Sequence, residues 1–416
     1  MIEEMIKAVL VGIAARTSEL EECEISLDEL ERLADTAGAV TVAKVVQVKE
    51  SLDPRTCIGS GKVDEIRALA ENEGAELVVF DFELSPAQIR NLEDDLDVSV
   101  IDRSMLILDI FAKHAVTGEG KLQVELAQLK YSAPRLIGKG ASLSRQGGGI
   151  GSRGPGESKL ETDRRHLKER ISTLEERLRE MEHNRAVMRA SRDRSGIPKI
   201  AVVGYTNAGK STLLNALTGA GVLSEDKLFA TLDPTTRKLE LPNGESVLLT
   251  DTVGFIRKLP HHLVKAFRST LDEVRFADIL LIVSDSTDSE LDSHIAVTEE
   301  IISELSATDK PRIYVYNKCD MLEAVPEGNV NSVFISALKG QGIDELLTAI
   351  ETEIGKAKKK VTLTVPYTDQ SVVSALYNTY SVESVDYTDS GISVTVVLDG
   401  RGLGLYGRYL GDNDGE

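Results

Sequence analysis

The amino-acid sequence predicts a multidomain α/β protein: an N-terminal parallel α/β domain with a helical hairpin, a P-loop domain and a small C-terminal α+β module. The chain has 416 residues, which is more than one ordinary core contains. Strand-like apolar runs alternate with amphipathic segments in its first part, as is typical of parallel α/β folds. Further along, a glycine-rich phosphate-binding pattern follows an apolar run.

Residues 1–116 are expected to form the N-terminal α/β domain, because four apolar runs predict strands and the amphipathic segments between them predict helices. The expected strands are Ala8 to Ile13, Val40 to Val48, Leu77 to Phe80 and Val98 to Ile101. The expected helices are Ser26 to Ala37, Val63 to Glu73 and Pro86 to Leu96. Strands that alternate with helices in this way pair in parallel.

Residues 117–195 are expected to form a hairpin of two helices. In the first helix apolar residues step by four and three, and the pattern ends before Pro134. The second helix has a heptad seam, made of Leu160, Leu167, Ile171, Leu174, Leu178 and Met181. Ser158 and Glu161 have the spacing of a capping box, which predicts that the second helix begins there. Two striped helices joined by a loop are expected to pack antiparallel.

The loop between these helices, residues 134–157, is expected to form the tip of the hairpin. The stretch RQGGGIGSRGPGESKLE, Arg145 to Glu161, holds six glycines, whose accessible backbone amides suit phosphate groups. Between Arg135 and Lys199 there are 16 Lys or Arg and 9 Asp or Glu, a local +7 in a chain of net charge −20. The cations of the tip are Arg135, Lys139, Arg145, Arg153 and Lys159. The alternative is a flexible solvated loop.

Composition argues against several other kinds of site. Cys23, Cys57 and Cys319 lie far apart without a C-x-x-C pair, so we expect a reducing compartment and neither disulfides nor zinc. The apolar run Ala8 to Ala15 is too short for a membrane span, so we expect a cytoplasmic protein without integral membrane contact. The adjacent residues His261 and His262 are expected to be surface residues rather than metal ligands.

The strongest signal is GYTNAGKS, Gly204 to Ser211, which fits G-x-x-x-x-G-K-S between an apolar run and a helix-like segment. Its glycines let the backbone wrap the β-phosphate, Lys210 supplies charge to the β and γ oxygens, and Ser211 ligates Mg²⁺. The expected nucleotide contacts are Gly204, Tyr205, Thr206, Asn207, Ala208, Gly209, Lys210, Ser211 and Thr212. GSGKV at Gly59 and GEGKL at Gly118 lack the spacing and are predicted to be turns before helices.

Two further stretches predict that the base is guanine, so the expected cofactors are GTP or GDP with Mg²⁺. In NKCD the Asp320 carboxylate can accept from N1–H and the 2-amino group of guanine, while Asn317 pairs with the other edge of the ring. Adenine offers neither donor, so its rejection is large. In SALK the Ala337 N–H is expected to reach guanine O6. The expected base contacts are Asn317, Lys318, Asp320, Ser336, Ala337 and Leu338.

DTVG, Asp251 to Gly254, follows another apolar run and is expected to sense the γ-phosphate. Asp251 would hold Mg²⁺ through water, and Gly254 would offer its amide to the γ-phosphate, with Thr252 and Val253 between them. Phe255 follows, where small signalling GTPases have a water-orienting glutamine. Intrinsic hydrolysis is therefore expected to be slow unless another group or a partner completes the site.

The stretch LFATLDPTTR, Leu228 to Arg237, is named here the switch segment and is expected to supply a threonine ligand to Mg²⁺. Thr231 is preferred because it matches the threonine of the F-[TA]-T-L segment in the Obg and Era group of GTPases, with Thr235 and Thr236 as alternatives. Phe229 and Ala230 are expected to contact the nucleotide. The expected metal ligands are Ser211, Thr231 and Asp251, and the expected catalytic residues are Lys210, Thr231 and Gly254.

The sequence resembles the HflX family of ribosome-associated GTPases over nearly its whole length. The resemblance is carried by GGGIGSRGPGESKLE, GYTNAGKSTLLNAL, LFATLDPTTR and DTVGFIRKLP, and the first of these is the most diagnostic. It implies a P-loop GTPase domain, expected at residues 196–358. It also implies binding to the large ribosomal subunit near the peptidyl transferase centre and splitting of stalled ribosomes under stress. The glycine-rich tip, residues 145–157, and the hairpin would then contact ribosomal RNA.

Residues 359–416 depart from the pattern shared by the whole family, since only some members have such a C-terminal module. The expected elements are a strand Val361 to Val365, a helix Gln370 to Tyr380, and strands Val385 to Tyr387 and Gly391 to Leu398. The module ends in an acidic tail, which argues against direct RNA contact. Four tyrosines are expected to pack in or near its core: Tyr367, Tyr377, Tyr380 and Tyr387.

Two functional hypotheses follow. The first is a GTP-driven factor of the large ribosomal subunit, expected to be a monomer that does not bind DNA. The second is a regulatory G protein whose N-terminal domain and basic hairpin bind another protein or free RNA. An ATP-dependent helicase is excluded because NKCD selects guanine and no second motor core is visible.

Overall fold

The computed structural model describes residues 5–144, 155–193, 196–219, 227–260, 263, 267–329, 331–356 and 358–410. Three sheets organise these residues, and they have four, six and three strands in chain order. The predicted multidomain α/β fold is confirmed. In the described ranges, no helix is both long enough and apolar enough to cross a membrane.

The N-terminal domain has a parallel sheet with the strand order β2-β1-β3-β4. Its elements are β1 Ile6–Ala14, α1 Leu20–Ala37, β2 Ala39–Val48, α2 Ser60–Glu73, β3 Leu77–Phe80, α3 Pro86–Leu96, β4 Ser99–Asp102 and α4 Arg103–His114. Helix α3 begins with a capping box in which Ser85 accepts from the Gln88 N–H and the Gln88 side chain accepts from the Ser85 N–H. Helix α1 begins six residues earlier than Ser26, the expected start.

The hairpin consists of α5 Gly118–Ser144 and α6 Pro155–Asp193. The helices pack antiparallel, as predicted, because Arg185 and Glu119 pair at 2.6 Å near the base of the hairpin and Lys130 and Glu175 pair at 2.7 Å further out. Leu174, at the centre of the predicted seam, is fully buried. Long apolar-striped helices gain most of their stability from such packing.

Both predicted inner ends of the hairpin helices are wrong. Helix α5 continues past Pro134 to Ser144. An interior proline removes one N–H donor and can bend a helix, but it does not always end it. Helix α6 begins at Pro155, a residue that suits a first helical turn, so Ser158 lies inside the helix rather than at its cap. The loop between the helices is therefore shorter than expected. Residues 145–154, which include Arg145 and Arg153, lie outside the described part of the chain, as do the side chains of Arg135, Lys139 and Lys159.

The nucleotide-binding domain has a six-stranded sheet with the order β10-β9-β8-β5-β7-β6, parallel except for β6. Its strands are β5 Lys199–Gly204, β6 Thr235–Glu240, β7 Ser246–Asp251, β8 Ile279–Asp285, β9 Arg312–Asn317 and β10 Ser332–Phe334. Its helices are α7 Lys210–Thr218, α8 Arg268–Phe276, α9 Leu291–Glu304 and α10 Ile343–Lys356. The carboxyl ends of β5, β7 and β9 meet at one edge, where ligands bind in open α/β sheets.

The C-terminal module is an antiparallel sheet with the order β11-β13-β12. It contains β11 Lys359–Val365, α11 Gln370–Thr379, β12 Ser381–Thr388, β13 Gly391–Leu398 and an unexpected short helix, α12 Gly400–Tyr406. The packing predicted for its tyrosines is wrong for three of the four. Tyr367, Tyr377 and Tyr387 are 47%, 59% and 73% exposed, because aliphatic side chains of the sheet fill the core.

The N-terminal domain, the base of the hairpin and the nucleotide-binding domain share one hydrophobic core. Phe111 of α4 makes edge-to-face contacts with Phe229 of the switch segment, at 4.8 Å between ring centroids, and with Phe267, at 4.6 Å. Such aromatic pairs stabilise packing beyond the area that they bury. The switch segment is therefore part of the N-terminal domain's own core rather than a free surface loop.

Candidate active site

The P-loop connects β5 to α7, and two of its glycines are required by close approaches. Gly204 has φ +145°, and a Cβ there would lie 2.0 Å from the Val283 carbonyl oxygen. Gly209, the N-cap of α7, has φ +89°, and a Cβ there would lie 2.2 Å from Asn317 Nδ2. No other residue type combines this freedom of φ with so little volume. The loop therefore presents its backbone amides and the N-terminus of α7 to one hollow.

Lys210 is nearly buried in this loop. Its Nζ donates to the Gly204 carbonyl at 3.1 Å and to the Tyr205 carbonyl at 2.7 Å. Burial lowers the pKa of Lys210 from its ordinary value to about 8, and the nearby Asp251 carboxylate opposes that shift. The ammonium is thus held by carbonyl groups where the β and γ oxygens of a nucleotide would replace them.

Three oxygen-bearing side chains predicted as metal ligands lie together beside Lys210. Ser211 Oγ donates to Asp251 Oδ2 at 2.6 Å and lies 2.8 Å from Thr231 Oγ1. Asp251 is fully buried, and its Oδ1 has no hydrogen-bond partner among the described residues. Burial raises the pKa of Asp251, against the opposing effects of Lys210 and Ser211. An unpartnered buried carboxylate oxygen among hard oxygen donors fits Mg²⁺.

The alternative threonines of the switch segment lie elsewhere. Thr235 begins β6, and Thr236 Oγ1 lies 2.8 Å from Thr250 Oγ1 on the neighbouring strand. Of the three candidates, Thr231 has its hydroxyl beside Ser211. In the part of the chain that the structure describes, no group of three or more His, Cys, Asp or Glu side chains could hold a metal ion.

The hollow at this site is lined almost entirely by residues predicted to contact the nucleotide. The lining consists of Thr206, Asn207, Gly209, Lys210, Ser211, Thr212, Lys227, Phe229, Ala230, Thr231, Thr252 and Gly254. Lys227 is the one lining residue that was not predicted from the sequence. Its position immediately before the switch segment could have indicated it. Ala208 and Val253 lie instead in hydrophobic clusters.

The DTVG segment lies directly against the P-loop. The Phe255 N–H donates to the Gly204 carbonyl at 3.0 Å, and the Thr206 N–H donates to the Phe255 carbonyl at 2.8 Å. A Cβ on Gly254 would lie 2.8 Å from Thr206 Cα and 3.0 Å from Lys210 Nζ, so this approach requires glycine. The Phe255 side chain is only 1% exposed and packs in a hydrophobic cluster, so it offers nothing to orient water.

The residues predicted to bind the base also join the surrounding loops to one another. Asn317 Nδ2 donates to the Ala208 carbonyl at 2.9 Å, and Asn317 Oδ1 accepts from the Ala337 N–H at 3.0 Å. The N–H expected to reach guanine O6 therefore has Asn317 as its partner here. Lys318 has φ +65° and pairs with Asp285 at 2.6 Å. Leu338 is 81% exposed.

Asp320 is set up as an ionised acceptor. A hydrogen bond from Ser336 and the ammonium of Lys339, 3.0 Å from Asp320 Oδ2, lower the pKa of Asp320 below its ordinary value. A carboxylate accepts hydrogen bonds and donates none. Such an acceptor would complement the N1–H and 2-amino donors of guanine, neither of which adenine has.

Sequence reasoning also missed a buried polar network that joins the P-loop to the N-terminal domain. Tyr205 Oη donates to Glu29 of α1 and accepts from the Arg257 N–H at 2.8 Å. Burial, together with the neighbouring Glu29, raises the pKa of Tyr205, so the phenol remains a donor. Arg103, the first residue of α4, donates to Glu29, to Asp81 Oδ1 at 2.7 Å and to the Arg257 carbonyl at 3.1 Å. The spacing of these residues in the sequence does not indicate that they are in contact.

The strand-edge P-loop, the buried lysine, the oxygen cluster and the ionised Asp320 together define a P-loop GTPase. Four family models match the chain in order. They are the N-terminal region of a GTP-binding GTPase (residues 24–112), its middle region (114–192), a 50S ribosome-binding GTPase (199–318) and the HflX C-terminal domain (321–415). The chain belongs to the HflX GTPase family, and the resemblance seen in the sequence is confirmed.

The relatives match over nearly their whole lengths. GTPase HflX of Caldanaerobacter subterraneus subsp. tengcongensis is 53% identical over 93% of this chain and 90% of its own. GTPase HflX of Escherichia coli is 43% identical over 95% of each. A crystal structure of a GTP-binding protein from Sulfolobus solfataricus in complex with GDP is 27% identical with a TM-score of 0.44, covering 84% of this chain and 98% of that one.

Proposed function

We propose that the chain is a Mg²⁺-dependent GTPase of the cytoplasm that works on the large ribosomal subunit and splits or rescues stalled ribosomes under stress. The observation that carries the magnesium assignment is the cluster of Ser211, Thr231 and Asp251. Within it, Asp251 Oδ1 has no hydrogen-bond partner among the described residues. When bound, Mg²⁺ would neutralise and orient the β- and γ-phosphate oxygens.

The chain's own residues would contribute in distinct ways. Lys210 exchanges its two carbonyl partners for phosphate oxygens and stabilises the charge that develops on them. Gly254 lets its backbone approach the γ-phosphate closely, since any Cβ would meet Thr206 and Lys210. Phe255 supplies no hydrogen bond to the attacking water. Slow intrinsic hydrolysis follows, with a partner required to complete the site.

Two observations support the large subunit as that partner. The family model over residues 199–318 is that of a 50S ribosome-binding GTPase. In addition, the segment from Arg135 to Lys199 has a charge of +7, so the rest of a chain of net charge −20 has −27. This polarisation favours a polyanionic surface at the hairpin and repels it elsewhere. The tip, residues 145–157, would approach ribosomal RNA, while the protein remains a monomer.

The test is steady-state GTP hydrolysis by the full chain alone, with large subunits and with RNase-treated large subunits. We expect intact subunits to raise the rate of hydrolysis by about tenfold or more. Partner proteins stimulate other GTPases by much larger factors, so this threshold is a modest one. Deletion of Gly147 to Gly151 should abolish this increase and leave the basal rate unchanged. A wild-type rate that ribosomes do not change would favour the alternative, a regulatory G protein whose hairpin binds another protein or free RNA.

The assignment of guanine recognition to Asp320 predicts a change of base preference. In Asp320→Asn an amide N–H₂ meets the guanine donors, so we expect the affinity for GTP to fall about fiftyfold. Xanthine has a carbonyl where guanine has the 2-amino group, so xanthosine triphosphate should bind the variant better than GTP. Competition of both nucleotides against a fluorescent GTP analogue measures this. Equal weakening of both nucleotides would show that Asp320 does not read the base.

A further inference from the structure

A carboxylate of the switch segment binds the start of the hairpin. Asp233 Oδ2 accepts from the Val116 N–H at 2.9 Å and from the Thr117 N–H at 2.8 Å, and Asp233 Oδ1 accepts from the Thr117 hydroxyl. Thr117 Oγ1 in turn accepts from the Gly120 N–H at 2.9 Å. Asp233 thus binds the backbone N–H groups of the two residues that precede α5, where a negative charge is also favoured by the helix dipole.

The contact is close enough to restrict the residue type opposite the carboxylate. A Cβ on Gly120 would lie 2.4 Å from Asp233 Oδ1. Gly120 belongs to GEGKL, one of the two stretches that share the Gly-Lys pair with the P-loop, and its glycine is explained by this approach of the switch segment. The first turn of the hairpin and Asp233 therefore fit each other as one unit.

The same segment is held at its other end by α4. Phe229 has φ +57°, a conformation that costs a bulky residue about 1–3 kcal/mol and persists only where packing imposes it. That packing is the edge-to-face contact with Phe111. Between these two fixed points, Leu232 is 1% exposed in the shared core, and Thr231 Oγ1 lies 2.8 Å from Ser211 Oγ.

We propose that Asp233 is a positioning residue that holds Thr231 at the metal site and couples it to the base of the hairpin. Asp233 touches neither nucleotide nor metal; it acts through the two-residue connection to Thr231. Because coupling between two sites is reciprocal, displacement of α5 by a bound partner would change magnesium binding, and magnesium binding would bias the position of α5. This inference rests on the proposed roles of Thr231 as a magnesium ligand and of the hairpin as the ribosome contact.

The test compares Asp233→Ala and Asp233→Asn with wild type in the full chain. Binding of a fluorescent, non-hydrolysable GTP analogue is measured against Mg²⁺ concentration, and GTP hydrolysis is then measured with and without large subunits. We expect the half-saturating Mg²⁺ concentration to rise about tenfold in Asp233→Ala. This is the lower end of the effect of losing a direct partner of a metal ligand, because Asp233 acts on Thr231 through the backbone. Asp233→Asn, which keeps one of the two acceptor oxygens, should give a smaller rise in this concentration. The stimulation of hydrolysis by large subunits should also fall, more in Asp233→Ala than in Asp233→Asn.

Two further variants separate this coupling from a simple helix cap. Asp278→Ala is the matched control, because Asp278 also accepts a backbone N–H, from Lys199 at 2.8 Å, but lies away from the switch segment. It should leave the Mg²⁺ dependence unchanged. Thr117→Ala removes the hydroxyl that donates to Asp233 and also caps the Gly120 N–H, but it keeps both backbone donors to Asp233. It should therefore raise the half-saturating Mg²⁺ concentration only about twofold.

If Asp233→Ala melts at a lower temperature but keeps the wild-type Mg²⁺ dependence and stimulation ratio, Asp233 is only a helix cap and the inference fails. Failure of the proposed function gives a different result. In that case large subunits do not stimulate GTP hydrolysis by the wild-type protein. The Mg²⁺ titration, which needs no ribosomes, then still decides whether Asp233 positions Thr231.

Discussion

Replacement of Arg103 by methionine is expected to lower the free energy of unfolding by about 3–5 kcal/mol. Arg103 is 2% exposed and pairs with two carboxylates that are themselves buried, Glu29 and Asp81. Methionine keeps most of the apolar stem and removes the charge, so both carboxylates remain in the interior with one cation fewer. Removal of one partner from a buried ion pair is costly because the remaining charge is not solvated.

The same substitution should also reach the nucleotide site. The Arg103 guanidinium donates to the Arg257 carbonyl at 3.1 Å, and Lys258 Nζ donates to Asp81 Oδ2 at 2.6 Å. Arg257 and Lys258 follow DTVG closely in sequence, so the network fixes the chain that leaves the segment expected to sense the γ-phosphate. We therefore expect the rate of GTP hydrolysis in Arg103→Met to change at temperatures where the variant is still folded.

Urea unfolding followed by far-UV circular dichroism measures the stability change, with Arg55→Met as the matched control. Arg55 also makes a two-point ion pair, with Asp95 at 2.7 and 2.8 Å, but its side chain is 61% exposed. Its loss should cost far less than the loss of Arg103, since solvent screens exposed pairs. If both variants lose the same small amount, the buried network does not stabilise the domain interface.

The nucleotide site was largely predictable from the sequence, because each of its parts is a short motif at the end of one strand. The loop after β5, Asp251 at the end of β7 and Asn317 at the end of β9 meet because parallel strands bring their carboxyl ends to one edge. Local spacing and sheet topology suffice for such a site. The roles of its residues are tested by the experiments proposed above.

The contacts between domains could not be predicted in this way. Glu29, Asp81 and Arg103 lie far apart in the sequence, and nothing in their spacing indicates that they meet one another or that Glu29 bonds Tyr205. Asp233 likewise stands in a recognisable motif, but its partner is the backbone of a helix start more than a hundred residues away. Helix α5 likewise continues through Pro134, where local propensity favours an end.

These contacts have a common consequence for the mechanism. The P-loop binds α1 through Tyr205 and Glu29, the switch segment binds α5 through Asp233, and the chain after DTVG binds β3's end through Lys258 and Asp81. All the segments expected to change with the nucleotide therefore contact the N-terminal half. Of these contacts, the one from Asp233 to α5 connects the switch segment to the hairpin, so a change in the switch segment on nucleotide binding would reach the hairpin through it.

The affinity for nucleotide is expected to fall as the pH rises above about 8, because of Lys210. Burial lowers the pKa of this lysine to about 8 in the nucleotide-free protein. Bound phosphates favour the charged ammonium and raise its pKa again, so above pH 8 binding must take up a proton. The dissociation constant of a non-hydrolysable GTP analogue should then rise, approaching about tenfold per pH unit. Fluorescence titrations between pH 7 and 9 measure this dependence.

Lys210→Met is the variant that tests the cause. At pH 7 it should bind the analogue about a thousandfold more weakly, because the phosphate charge then lacks its buried partner. The residual affinity of the variant should vary less with pH than that of wild type, since the titrating group is gone. A wild-type affinity that stays constant from pH 7 to 9 would mean that the lysine keeps its charge throughout. In that case the carbonyl groups of Gly204 and Tyr205, rather than burial, would dominate its protonation.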